Sequence, residues 1–583
     1  MCGIFGYVGR KTDAANIVLG GLKRLEYRGY DSWGVVVGTQ NLVCEKRVGK
    51  IGQAKVSLPK SNIGIGHTRW ATHGEVTQAN AHPHLDCTGK IAVVHNGIVE
   101  NYLDLRKKLS KKHKILSQTD TEVIVHLIEE EMEKKDNLSV AVRAVFGKLM
   151  GLNAVVAISR GEIVAAKNGS PLVLGIGNGE NFIASDAAAL LPHTKRVIFV
   201  KDGQMARING QKMELFDLNS GQQIQPKVEV LSWELREAEL GKFKHFMLKE
   251  IYEQPGIIRN IAQNYDLQVK ELVRLIKGAK GTFFVGTGTA FNACLAGAYL
   301  FSKVAKVHVN AIVGSEFNYL EDFIHKGSLV IALSQSGETI DVIEPVKRAK
   351  QKGATIVALV NNVGSTIWQI SDYKILLDAG PEMAVASTKA YSAKLSVLLL
   401  ATYALIGKAG LGKKLLLAAA DEVERIIFEE EGNFKKIAKE LCGHEHIFTI
   451  GRGLAYQSAL EAALKMKEVS YIHTEGLAGG ELKHGPIALI AAGTPCIVFA
   501  PNDETYDAII SNAMEIKTRG GMIIGVSPKN HEVFDKWIKV ADVGAASILP
   551  NVVPSQLFGY WLAVVKGLDP DRPRNLAKSV TVK

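Results

Sequence analysis

The second residue, Cys2, carries a thiol and, once Met1 is removed, a free α-amine on the same residue. Such an amine titrates near ~8, so part of it is neutral at pH 7 and can take the thiol proton. Nucleophile and base then need no separate histidine. Alone, a cysteine opening an apolar run reads as a small core residue. Two polar clusters at the ends of apolar runs change that reading: His67-Thr68-Arg69-Trp70-Ala71-Thr72-His73-Gly74 and His95-Asn96-Gly97. They hold a guanidinium suited to a carboxylate and donors suited to an oxyanion, and Asp120 adds an acid for an amine. Far downstream, Ser334-Gln335-Ser336-Gly337-Glu338-Thr339 follows an apolar strand and opens a helix. One hydroxyl there would be an ordinary N-cap, but three with Gly337 favour a phosphate nest at a helix N-terminus. The matching stretch Asn502-Asp503-Glu504-Thr505 carries acids that repel phosphate, so one site rather than two is expected.

The elements that must position these groups fall into two regimes. Up to about residue 215, β-rich runs such as Gly3–Val8, Gly34–Val37 and Ile91–Val94 alternate with turns. Helical periodicity appears at Asn16–Leu25 and Thr121–Met132, the latter preceded by Thr119 or Asp120 as cap. Two sheets with helices outside them fit this order. A polar linker is expected at 219–250. Beyond it the chain repeats itself: Phe283–Gly288 resembles Ile447–Gly453, and Leu329–Ser334 resembles Pro495–Ala500. The offsets are 165 at Gly286/Gly451 and 166 at Thr339/Thr505. Strand–turn–helix units with wholly apolar strands imply parallel sheets covered on both faces.

A length of 583 residues calls for about three domains, and 47% hydrophobic with 22% charged residues is a globular balance. The net charge of +11 is spread without a long basic run or an aromatic platform, which argues against nucleic acid. Six dispersed cysteines (Cys2, Cys44, Cys87, Cys294, Cys442, Cys496) form no CxxC pair and have no histidine at metal-ligand spacing. No run is read as a signal peptide or a membrane span, and a cytoplasmic protein is expected.

Met-Cys-Gly-Ile, Arg28-Gly29-Tyr30-Asp31-Ser32, His67–Gly74 and Thr119–Glu122 together resemble the N-terminal-nucleophile glutamine amidotransferases. The repeats resemble tandem sugar-isomerase (SIS) domains. With His245–Ile251, Val385–Lys389, Glu481–Pro486 and the tail Pro573–Val580, the whole chain resembles the isomerising glutamine–fructose-6-phosphate aminotransferase family. The resemblance implies an αββα glutaminase sandwich at 2–218, doubly wound parallel-sheet SIS domains at 251–415 and 435–568, and a catalytic tail at 569–583. It implies that Cys2 attacks glutamine, with Asn96 and Gly97 as oxyanion hole. Arg69, Trp70, Thr72, His73 and Asp120 would hold glutamine, Trp70 also as a gate. Lys578 would form a Schiff base with the ketose, Glu468 would move the proton between C1 and C2, and His484, from a neighbouring subunit, would assist ring opening. Thr289, Ser334, Gln335, Ser336, Thr339, Val385, Ser387 and Lys465 would bind the sugar phosphate.

Two departures stand out. Trp33 replaces a small residue, and Ala290 replaces a serine, removing one hydroxyl hydrogen bond worth roughly 1 kcal/mol while Thr289 remains available. The expected reaction converts fructose 6-phosphate and glutamine to glucosamine 6-phosphate and glutamate, opening amino-sugar synthesis, with ammonia carried through an enclosed passage. A homodimer or larger homo-oligomer without metal or organic cofactor is implied, with no nucleic acid or membrane partner. Alternatives are an amidotransferase or deglycase acting on another sugar phosphate, or a sugar-phosphate-binding regulator on the same fold.

Overall fold

Side chains alternate across a strand, so each apolar run distributes its residues between two layers. In Ser32–Val37, Trp33, Val35 and Val37 pack with the helix Ala14–Leu25, whereas Val36 faces a second sheet. In Ala92–Gly97, Ala92 and Val94 face the first sheet, while Val93 meets the helices Thr121–Lys135 and Leu138–Phe146. Three stacked cores follow, in the order helix, sheet, sheet, helix. This is the expected αββα sandwich. Both sheets are antiparallel, one of eight strands and one of seven, with Gly3–Gly9 paired between Glu180–Ala184 and Ile63–Arg69.

The computed structural model describes residues 2–231, 237 and 239–580, which divide into two compact units. The first holds the chain to Glu239 together with 364–369 and the tail from Ala577. The second holds Leu240–Val363 and Ile370–Leu576. The expected linker is therefore too long. Gln223–Ile224 and Glu229–Val230 are edge strands of the first unit, and the helix Phe246–Asn264 takes the other end. Positions 232–236 and 238 of that linker lie outside the described residues.

The second unit contains two five-stranded parallel sheets. One runs in the order Asn310–Val313, Gly281–Gly286, Ser328–Ser334, Thr355–Val360, Tyr373–Leu376. The other runs His473–Ala478, His446–Gly451, Pro495–Phe499, Met522–Ser527, Lys536–Lys539. Both have the order 2-1-3-4-5, the signature of duplicated doubly wound domains, and the strand order reverses beside Gly286 and Ser334 in the first. The repeats are less separate than two domains imply. One continuous core runs from Phe284, Ile331 and Leu398 to Met466, Leu549 and Phe558. The helix Ile548–Val565 shows why. Its segment, 544–565, is long and apolar enough to cross a membrane by composition, a property the linear reading missed, yet it is 83% buried within the unit. A helix apolar on every side is one surrounded by other elements.

Candidate active sites

At the end of the inter-sheet layer, alternation collects one set of side chains. Ile4 pairs with His67 and Gly3 with Thr68, which places His67 and Arg69 on the face that Ile4 shares with Cys2. The Cys2 Sγ accepts from Trp70 N at 3.3 Å, and its carbonyl accepts from Asn96 Nδ2 at 2.9 Å and Arg28 Nε at 3.3 Å. Arg28 is held by Asp186 at 3.0 Å. Gly29 is obligatory here because a Cβ would lie 2.7 Å from the Trp70 nitrogen. Gly97, at φ +135°, is equally constrained, since a Cβ would meet the Leu152 carbonyl at 2.1 Å. Asn96 thus meets the Cys2 carbonyl, and Gly97 follows it at the end of the same strand.

Arg69 is anchored on loop carbonyls. It donates to the carbonyls of Glu75 at 2.9 Å, Gly74 at 2.9 Å and His73. The His73 ring stacks edge-on against Tyr102, while Thr72 is exposed and Trp70 half-buried. Asp120 stands at the N-cap as expected but makes no capping bond through its side chain: the Asp120 carboxylate accepts from Val99 N at 2.7 Å, and Thr119 Oγ1 meets His84 at 3.0 Å. Trp33 lies on the opposite face of the sheet, 1% exposed beside Phe5 and Tyr7, and fills core rather than pocket.

Burial governs the protonation states. Desolvation pushes the Cys2 thiol up, against the Trp70 amide and the Arg69 charge. His67 is held neutral. Its Nε2 lies 3.0 Å from both the His95 carbonyl and Asn96 Oδ1, so the proton sits there, and burial lowers its pKa to about 3. His84 is likewise lowered to about 3, and His82 and His95 are lowered by the same burial. His95 bridges Thr121 Oγ1 and Asn153 Oδ1, each at 2.9 Å. Four neutral histidines form the polar frame of the pocket, and of these the sequence had singled out only His67 and His95, as parts of clusters.

In the second unit, Ser334, Ser336 and Thr339 gather where the sheet order reverses. Ser334 Oγ accepts from Gly337 N at 3.0 Å and Ser336 Oγ from Glu338 N at 3.1 Å; Thr339, at the helix N-cap, makes no capping bond through its side chain. The hydroxyls thus shape the loop, with Gln335 half-buried within it. The facing segment is pinned from several directions. Ser387 Oγ donates to Glu382 at 3.1 Å, Val385 N to the Asp571 carbonyl at 2.9 Å, and Ala384 N to Glu250 at 3.1 Å. The Asp571 carboxylate in turn accepts from Phe246 N and Met247 N, at 2.8 and 2.7 Å, at the start of their helix. At the far end of this stretch, Arg574 N donates to Tyr471 OH at 2.7 Å, three residues beyond Glu468.

Two of the residues that the resemblance assigns to the sugar phosphate meet carboxylates here. Lys465 is wholly buried, 2.5 Å from Glu468 Oε2 and 3.5 Å from Glu461 Oε1, and so holds the carboxylate of Glu468. Burial disfavours its charge, but the two carboxylates outweigh this and raise its pKa. The Thr289 hydroxyl donates to Glu461 at 3.0 Å, alongside Asn292 Nδ2 at 2.8 Å. Ala290 packs in the core, where a hydroxyl would need a buried partner. Glu461 went unnoticed in the sequence, although its i, i+4, i+7 spacing with Lys465 and Glu468 puts all three on one helix face. His484 is exposed at the end of a short turn, and Lys578 lies in the tail segment of the first unit.

Comparison with known proteins agrees with this architecture. Residues 67–192 match the glutamine amidotransferase domain family, and residues 275–404 and 440–565 match the SIS domain family. The chain is 43% identical to a glutamine–fructose-6-phosphate aminotransferase (isomerizing) of Thermococcus kodakarensis and 42% identical to one of Aquifex aeolicus, with both chains covered completely in each case. Among solved structures, the C-terminal domain of glucosamine-fructose-6-phosphate aminotransferase from Francisella tularensis aligns at TM-score 0.52 and 32% identity. It covers 57% of this chain and 99% of its own.

Two outcomes follow from the geometry. Replacing Glu461 by Ala leaves Lys465 paired with Glu468 but strands the buried Asn292 and Thr289 donors, and should destabilise the second unit by about 1–3 kcal/mol in urea unfolding. The buried histidines make the first unit acid-sensitive. Their folded pKa values are depressed, so the unfolded chain binds their protons first. Stability is retained above pH ~6.5 and falls as pH drops toward 3, by up to about 1.4 kcal/mol per pH unit for each histidine. Unfolding midpoints measured between pH 7 and 5 should show that slope, and His84→Gln should reduce it.

Proposed function

Since the chain belongs to the isomerising glutamine–fructose-6-phosphate aminotransferase family and transfers glutamine nitrogen to fructose 6-phosphate with isomerisation, we propose that Cys2, Glu468 and Lys578 carry its three chemical steps. The observation supporting the first step is the Cys2 environment. Its thiol is pushed up by burial, Trp70 N–H points at the sulfur, and the adjacent His67 is held neutral with its proton engaged. The remaining base is the α-amine of Cys2 itself, exposed by removal of Met1. The thiolate adds to the glutamine side-chain carbonyl, Asn96 and Gly97 N–H stabilise the oxyanion, and ammonia leaves a thioester that water cleaves to glutamate. Arg69 and Asp120 bind the α-carboxylate and α-amine.

At the sugar end, the phosphate sits at the Ser334–Thr339 loop, where hydroxyls and a helix N-terminus meet the switch point of the sheet. Lys578 condenses with the C2 ketone, releasing water, and ammonia displaces it to give the imine. Glu468 then removes a proton from C1 and returns it to C2, and Lys465 holds that carboxylate in place. The exposure of His484 supports a role toward a neighbouring subunit, and hence a homodimer or larger homo-oligomer. All six cysteines are free thiols, which supports a reducing, cytoplasmic setting.

Lys578→Ala should abolish glucosamine 6-phosphate formation while glutamine hydrolysis persists in measurable amount; normal amino-sugar output would refute the Schiff-base assignment. Cys2→Ala should lose glutamine hydrolysis by more than about 10³-fold. Intact-mass measurement should show the active chain lacking Met1. If His484 acts across subunits, mixing inactive His484→Ala and Lys578→Ala chains should restore part of the activity.

A further inference from the structure

Far apart in sequence, Cys87, His113, His126 and Glu129 come together in the first unit, and all four of their ligating atoms lie within 4.8 Å of one another. Cys87 follows the short strand His84–Leu85, and His113 lies in the connection between the helices Tyr102–Lys108 and Thr121–Lys135. His126 and Glu129 stand one turn apart on the second of these helices. Linear spacing gave no hint of this, because the histidines meet the cysteine only through the fold. We propose that these four residues form a structural zinc site.

The distances carry the argument. A zinc ion takes sulfur at about 2.3 Å and nitrogen or oxygen at about 2.0–2.1 Å, so a tetrahedron has sulfur–nitrogen edges of about 3.5 Å and nitrogen–oxygen edges of about 3.3 Å. Cys87 Sγ lies 3.4 Å from His113 Nδ1 and 3.6 Å from His126 Nδ1. Glu129 Oε2 lies 3.1 Å from each of the same two nitrogens. Four edges of the tetrahedron are therefore already near their bound lengths.

The donor arrangement points the same way. His113 Nε2 lies 3.2 Å from Glu130 Oε1, so a neutral His113 carries its proton there. Its Nδ1 lone pair then faces a carboxylate oxygen and a sulfur, which calls for a cation between them. Ligating histidines characteristically give their other N–H to a carboxylate. His126 Nε2 is buried with Glu122 Oε1 3.8 Å away, beyond hydrogen-bond reach. The His113, His126 and Glu129 side chains are only 1, 2 and 7% exposed, whereas Cys87 reaches the surface and offers an entry path. One thiolate, one carboxylate and two neutral imidazoles exactly balance a divalent charge, and the mixed sulfur–nitrogen–oxygen set suits zinc over magnesium or calcium. The ion would tie the connection before Asp120 to the helix that follows it. Glu122 on that helix already binds Leu116 N at 2.7 Å and Ser117 N at 2.6 Å.

The test uses the full-length chain. Purified protein, stripped with a chelator and offered zinc alone, should retain one zinc per chain after dialysis. Cobalt(II) offered in its place should give the visible bands of a tetrahedral site with a sulfur-to-cobalt charge-transfer band. Cys87→Ser should lose the charge-transfer band, His113→Gln should lose the bound equivalent, and chelation should lower the melting midpoint of wild type but not of His113→Gln. Stripped wild type that takes up neither metal would overturn the proposal. So would an equivalent that persists unchanged in the Cys87→Ser/His113→Gln double variant, for example at the exposed His446–His473 pair.

Discussion

Glu461 sits with no exposure at all between the two repeats, accepting from Thr289 and Asn292 of one and facing Lys465 of its own helix. A carboxylate and an ammonium buried this deeply are tolerable only as a hydrogen-bonded set, because an uncompensated buried charge costs several kcal/mol. The helix beginning at Thr289 and the helix Leu454–Ser470 must therefore stay in register. The same set reaches Glu468, whose carboxylate is partly exposed at the end of the chain of charges. Packing of the duplicated halves and orientation of the proposed acid/base are thus one constraint. The continuous core around Ile548–Val565 follows from it: halves locked together through a polar seam bury the apolar helix that neither could cover alone.

The first unit solves its polar problem differently. Around Cys2 the buried groups are neutral imidazoles linked to amides, hydroxyls and carbonyls, with Arg69 anchored on loop carbonyls. Neutral rings avoid the desolvation that charged partners would incur, and each fixes its neighbour by a directional bond. On the proposed mechanism this arrangement leaves Arg69 and Asp120 for the charged ends of the substrate and histidine outside the proton transfer.

Much of this was legible in the residues. The period-two runs located the strands, the 165-residue offset disclosed the duplication, and Asn96 meets Cys2 as a neighbour in the fold. Where local rules misled, a tertiary demand had overruled them. Thr119 and Asp120 carry a capping pattern but bond to His84 and to Val99. Lys465, which the resemblance assigns to the sugar phosphate, meets two carboxylates of its own helix. Trp33 and Ala290 looked like altered pocket residues, and both lie in apolar cores, because alternation and helical phase turn them away from the ligand side.

Periodicity and repetition are local properties, and so the chain alone determined the elements, their duplication and the chemistry that its residue types permit. Which polar groups meet is decided by pairs far apart in sequence, whose encounter depends on sheet order and helix packing. Glu461 meets Thr289 across 172 residues, Asn96 meets Cys2 across 94, and His113 meets Cys87 across 26. Only the folded chain could show that the histidines near Cys2 are held neutral by burial, that Lys465 pairs with Glu468, and that Cys87 has two histidines and a glutamate beside it in space.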